Sequence, residues 1–128
     1  MPPWESYKAE AKARGALALE LYVAQSTPSG APEAVKAALP DHLAYQAELE
    51  ARGALAFAGP MSDETGALME GIGMIVYRAA SFEEAHALAE ADPMHKCGAR
   101  SYVLRKWLIN EGSLTLSVGL SGKTVLFS

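Results

Sequence analysis

The sequence predicts an α+β fold in which one antiparallel sheet carries its helices on a single face. Three observations predict it. The chain alternates periodicities in the order strand, helix, strand, strand, helix, strand. Its 128 residues, half of them apolar, are enough for one core. Its last long strand, "RSYVLRKWLI", is apolar at both parities, with Tyr102, Leu104 and Leu108 against Val103, Trp107 and Ile109. That order is the split βαββαβ arrangement of a ferredoxin-like sandwich. Strands apolar on both faces need a cover on the face away from the helices, and a second copy of the chain is the simplest one. A single domain is expected over residues 1–128. Its core covers about 17–108, with an N-terminal helix within 1–16 and a C-terminal hairpin extension at 111–128.

Each element has its own signal. Ala, Glu and Lys dominate from Trp4 to Arg14, after Pro2 and Pro3 and before Gly15, which marks a short helix. "ALALELYVAQST" places Leu17, Leu19, Leu21 and Val23 on one face and Glu20, Tyr22 and Ala24 on the other, as in a strand. Helix formers return from Glu33 to Arg52. Pro40 lacks an amide hydrogen and should kink or restart that helix, with Asp41 and His42 in its new first turn. "ALAFAG" reads as a short buried strand stopped by Gly59-Pro60, and "SDETG" as a turn. "GIGMIVYRA" is an apolar strand centred on Ile75. Ser81 with Glu84 is a capping box, so a helix should run from Phe82 to about Ala91, with Phe82, Ala85, Leu88 and Ala89 inward. Asp92-Pro93 ends it, "MHKCGA" reads as a loop, and the long strand follows. "SLTLSVG" and "KTVLFS" form a hairpin around Ser121-Gly122.

The segment "ARGALA" occurs at 13–18 and again at 51–56. Both copies read as a helix end, a glycine suited to a left-handed cap, and a strand entry. The sequences then diverge, "LELYVAQST" against "FAGPMSDET", so one local problem solved twice is favoured over a duplicated unit.

Composition excludes several functions. The net charge of -4 comes from dispersed acids without a basic run, so nucleic acid is not an expected partner. No apolar run approaches about 18 residues and the charged N-terminus does not resemble a signal peptide, so no membrane role is expected. One cysteine, Cys97, precludes an internal disulfide and fits a reducing cytoplasm; it reads as a buried or incidental thiol. "GIG" at 71–73 lacks the rest of a dinucleotide fingerprint, and there is no Walker sequence or nucleophile elbow. No cofactor is expected. His42, Asp92 and His95 show no recognised ligand spacing, so no metal is expected either.

Arg105 and Lys106 are consecutive in a strand and must leave opposite faces. If both faces are covered, one cation needs an anion, and Arg105 is the candidate for binding a ligand's carboxylate or phenolate; the alternative is a stem that reaches solvent at the sheet edge. Tyr45, Tyr77 and Trp107 suit either an aromatic wall or an ordinary core. His86 reads as solvated. On spacing alone, His42 is a partly buried helix residue and Asp92 a cap or turn residue.

"DHLAYQAELEARGALAFAGPM" from Asp41, "GIGMIVYRAASFEEAHALAEADPMHKCGA" from Gly71 and the strand ending in Trp107 together resemble the YCII-related domain family. The resemblance covers roughly Leu17 to Leu108. It rests on a helix-borne His followed by Leu-Ala-Tyr, a Gly-Pro after the second strand, a Ser-x-x-Glu-Ala helix ending in Asp-Pro, and the late Trp. It implies ferredoxin-like protomers paired in a dimeric α/β barrel, and a His-Asp site that falls on His42 and Asp92. An imidazole beside a carboxylate can take and return a proton, worth about 10²- to 10⁴-fold in rate.

The expected function is that of a small cofactor-free enzyme of isomerase or lyase type acting on a small, acidic, in some cases aromatic, molecule. His42 and Asp92 would be catalytic, with Arg105, Tyr45 and His95 binding substrate. The rivals are a non-catalytic small-molecule-binding protein and an accessory dimerisation domain.

Overall fold

The structure is a computed structural model and describes residues 1–128. Its contacts divide the chain into two compact units, Glu20–Trp107 and a smaller one made of Met1–Leu19 with Leu108–Ser128. In chain order the elements are α1 (Trp4–Ala13), β1 (Leu19–Pro28), α2 (Pro32–Ala51), β2 (Leu55–Ser62), β3 (Met69–Tyr77), α3 (Phe82–Glu90), α4 (Pro93–Lys96), β4 (Arg100–Ile109), β5 (Leu116–Gly119) and β6 (Thr124–Phe127).

In the larger unit the sheet order is β2-β3-β1-β4, the order of a ferredoxin-like fold. β3 runs antiparallel to both β1 and β2. Tyr22 lies opposite Tyr77 and Ala24 opposite Ile75, and these four pack with Leu49 of α2 and with Ala85 and Ala89 of α3. Tyr102 and Leu104 of β4 join the same core from its margin. The helix-facing side of β1 is therefore the Tyr22–Ala24–Ser26 parity. Leu19, on the more apolar parity, is exposed, while Leu21 is buried. The aromatic rings win the core because they fill the space under the helices. Truncating Leu49 to Ala would cost about 2–5 kcal/mol.

Three expectations are corrected. α2 does not restart at Pro40 but runs unbroken through it. The missing N–H deprives one carbonyl of a bond, yet the shielded residues Val35, Ala38, His42, Tyr45 and Leu49 recur every three or four positions on both sides of the proline. A stripe that continues in phase favours one helix. β2 is not stopped by Gly59-Pro60 and is largely exposed; it is an edge strand, where a missing backbone donor is tolerated. "PMHK" is not loop but one helical turn, α4, opened by Asp92 as N-cap and by Pro93.

Other signals are realised as expected. Ser81 caps α3 by accepting from the Glu84 N–H, while the Glu84 carboxylate reaches back to the Ala80 N–H, one residue beyond the usual box. Of the four residues expected inward on α3, Ala85 and Ala89 are fully buried and Leu88 packs against the core, but Phe82 at the first turn is exposed, against expectation. Both "ARGALA" segments close a helix with the same two bonds: Gly15 N–H to Lys12 O and Ala16 N–H to Ala11 O, then Gly53 N–H to Glu50 O and Ala54 N–H to Leu49 O. Gly15 and Gly53 have φ of 94° and 78°, the left-handed residue such a cap requires.

On the sheet face away from the helices, Phe57, Val103 and Trp107 are 48, 53 and 44% exposed. In the smaller unit, α1 is followed by Leu17, whose N–H bonds Asn110 O. β5 and β6 pair antiparallel as a hairpin, with Leu116, Val118, Val125, Leu126 and Phe127 exposed.

Candidate functional site

His42 lies on the shielded stripe of α2, and Asp92 sits where α3 has ended and α4 begins. The turn between these short helices lays the carboxylate against the longer one. His42 Nδ1 is 2.8 Å from each Asp92 oxygen. Asp92 is 1% exposed, and its Oδ1 also accepts from the Met94 N–H at 3.0 Å. A carboxylate here only accepts, so Nδ1 carries the proton and Nε2 is left with no protein partner. The His42 side chain is 15% exposed. One buried carboxylate thus caps a helix and fixes an imidazole.

His95, one turn further, is held differently. Its Nδ1 lies 2.8 Å from Ala89 O, a carbonyl that can only accept, so this nitrogen is the donor. Its Nε2 lies 2.8 Å from Ser26 Oγ, and the Ser26 hydroxyl donates to it. Ser26 Oγ in turn accepts from Arg100 Nε at 2.9 Å. Arg100 Nη2 donates to Ser26 O at 2.7 Å and to Gly71 O. Burial pulls Arg100 below its usual pKa, while the Asp92 carboxylate acts the other way. Gly30 lets the end of β1 approach the loop before β4, since a Cβ there would meet Gly98 O at 3.1 Å and Ala99 Cα at 3.2 Å.

The remaining sequence candidates separate. The Tyr45 hydroxyl donates to Leu88 O at 2.8 Å, and burial, with smaller charge effects, raises its pKa. Its ring packs on the core, and its hydroxyl is already committed. Arg105 is exposed and shares its parity with Val103 and Trp107, opposite to Tyr102 and Leu104. Its strand position sends it to the sheet face away from the helices; the cation on the helix side is Arg100. Lys106, on the inner parity, stands 3.9 Å from Glu20. Tyr77 is fully buried with no partner for its hydroxyl, and burial raises its pKa, helped by Asp92. Cys97 is exposed at the C-cap of α4, so it is not a buried thiol.

Sequence reasoning missed Ser26, Arg100 and Tyr102. All three lie on inward parities, and a polar residue at an inward strand position is the signal that would have found them. A hollow of about 570 Å³ lies between α3 and β4, lined by residues that include His95, Arg100 and Tyr102 but neither His42 nor Asp92. No group of three or more His, Cys, Asp or Glu side chains is arranged to hold a metal ion. No helix is long and apolar enough to cross a membrane.

Among solved structures the chain is similar to 5-chloro-2-hydroxyhydroquinone dehydrochlorinase (TftG) from Burkholderia phenoliruptrix AC1100 in complex with 2,5-dihydroxybenzoquinone. The match has a TM-score of 0.51 at 20% identity and covers 68% of this chain and 92% of that one. This likeness shows the fold. Among curated proteins none matches. The model of the YCII-related domain matches residues 18–108, which spans β1 to β3, α2 to α4 and all but the last residue of β4, and the chain therefore belongs to the YCII-related domain family.

Proposed function

We propose that the chain is a small cofactor-free enzyme that transfers a proton on a small acidic molecule, aromatic acids included, in isomerisation or lyase chemistry. The observation that carries this is the contact of His42 Nδ1 with both oxygens of a buried Asp92, which leaves Nε2 as the available base. Nε2 would take a proton from a carbon next to a carbonyl or from a phenol. The imidazolium so formed faces Asp92, which stabilises it, and the proton is then returned to the product or to a leaving group. The similar dehydrochlorinase acts, by its name, on a chlorinated hydroxyhydroquinone, so elimination from hydroxylated rings is the first chemistry to assay.

A homodimer fits this reading, because Phe57 on one edge strand and Val103 and Trp107 on the other are exposed apolar side chains on the sheet face away from the helices. The lone cysteine fits a cytoplasmic protein. The test is turnover of hydroxylated aromatic acids by the wild type and by His42→Gln and Asp92→Asn. Losses of about 10²-fold or more in kcat with the fold retained support it, and unchanged kcat in His42→Gln refutes it. One observation favours a non-catalytic binder instead: the 570 Å³ hollow has no contribution from the His-Asp pair. Ligand binding that persists in His42→Gln, with no turnover in any variant, would establish that reading.

A further inference from the structure

α3 and the edge strand β4 hold a second polar cluster apart from His42 and Asp92. His86 and Glu90, one turn apart on α3, both reach the hydroxyl of Tyr102, whose oxygen is 2.7 Å from His86 Nδ1 and 2.7 Å from Glu90 Oε1. The directions of these bonds follow from chemistry. An ionised carboxylate only accepts, so the single phenol proton goes to Glu90, and His86 Nδ1 must donate to the phenol oxygen. The His86 ring is thereby fixed with Nδ1 protonated and Nε2 as a lone-pair acceptor without a protein partner. Burial, with Glu90, raises the Tyr102 pKa, so the phenol keeps its proton and the relay keeps its sense.

These groups line the 570 Å³ hollow together with Phe82, Leu104 and Arg100. That volume is within the range of small-molecule sites. Arg100 spends Nε and Nη2 on Ser26 and Gly71 and leaves Nη1 with no protein partner. The hollow therefore combines one free acceptor, one cation with free donors, and apolar walls. The Glu90 carboxylate disfavours a bare anion on its own side.

We infer that this hollow is a ligand site for a small planar acid bearing a hydroxyl, its hydroxyl donating to His86 Nε2 and its carboxylate accepting from Arg100 Nη1. The site does not depend on the reading of His42 and Asp92. Tyr102 and Glu90 act as positioning residues, holding the His86 tautomer that can accept.

The test uses the full chain with 3-hydroxybenzoate and benzoate as probes, by calorimetry or NMR titration. The wild type should bind 3-hydroxybenzoate about 5- to 10-fold more tightly than benzoate, the worth of one hydrogen bond. His86→Ala removes an exposed side chain and should bring that ratio to about one, while Tyr102→Phe, which keeps the ring but frees His86, should reduce it about 3-fold. His42→Ala should leave the ratio unchanged. The inference is overturned if the preference survives His86→Ala, if it disappears in His42→Ala, or if neither acid binds at millimolar concentration. Loss of turnover in His42 variants bears on the proposed proton transfer alone.

Discussion

His42 reaches the carboxylate-capped turn from α2 and His95 belongs to that turn, yet the protein holds the two rings in opposite ways. His42 is tied at one nitrogen to Asp92 and leaves the other open. His95 is tied at both, to Ala89 O and to Ser26. An imidazole with one nitrogen fixed and one open can accept a proton from outside, whereas one with both nitrogens engaged serves as a bracket between α3, β1 and β4. Counting histidines near a pocket would not separate these roles; following each ring nitrogen to its partner does.

The sharpest way to break the comparison is kinetic. His42→Gln should lower any turnover by about 10²- to 10⁴-fold while leaving the unfolding free energy within about 1 kcal/mol, since the Gln amide can replace Nδ1–H as a donor to Asp92. Denaturant unfolding of Asp92→Ala should show a loss of about 3 kcal/mol, because both the imidazole bond and the α4 cap go. For His95→Ala the expected loss is about 2 kcal/mol, one increment per bond, with kcat for any substrate handled by His42 changed less than in His42→Gln. A His95 variant that abolished turnover at full stability would reverse the assignment.

The smallest effect is expected at Tyr77, the buried phenol at the end of β3. Tyr77→Phe removes an unpartnered hydroxyl and should raise stability by about 1 kcal/mol in denaturant unfolding. Burial keeps the Tyr77 and Tyr102 phenols protonated to higher pH than in the unfolded chain. Their contribution is therefore complete below about pH 10 and declines as pH rises beyond it. Thermal unfolding followed across that range should show a shallower alkaline decline in Tyr77→Phe.

Much of the fold was legible because it is written in local chemistry. The two "ARGALA" segments form the same pair of cap bonds, and Ser81 with Glu84 starts α3. Pro40 and Pro60 misled for a shared reason: a proline's local cost is outweighed where the helix stripe continues in phase or where the strand lies at a sheet edge. The pairing of His42 with Asp92 came from resemblance rather than from spacing, since the two residues are 50 positions apart. Arg105 was chosen over Arg100 although a separation of five positions, an odd number, puts the two on opposite faces of one strand. Tyr102 was read only as a core residue, so its bonds to His86 and Glu90, which need α3 and β4 to meet, were not foreseen.

The only thiol in the chain is exposed at Cys97, at the far end of the four-residue turn that Asp92 opens. A thiol-reactive dye would therefore attach at one position, beside the segment that carries Asp92 and His95. Its emission would follow movement of that turn without any engineered label site, which makes the wild-type sequence its own reporter for ligand screening.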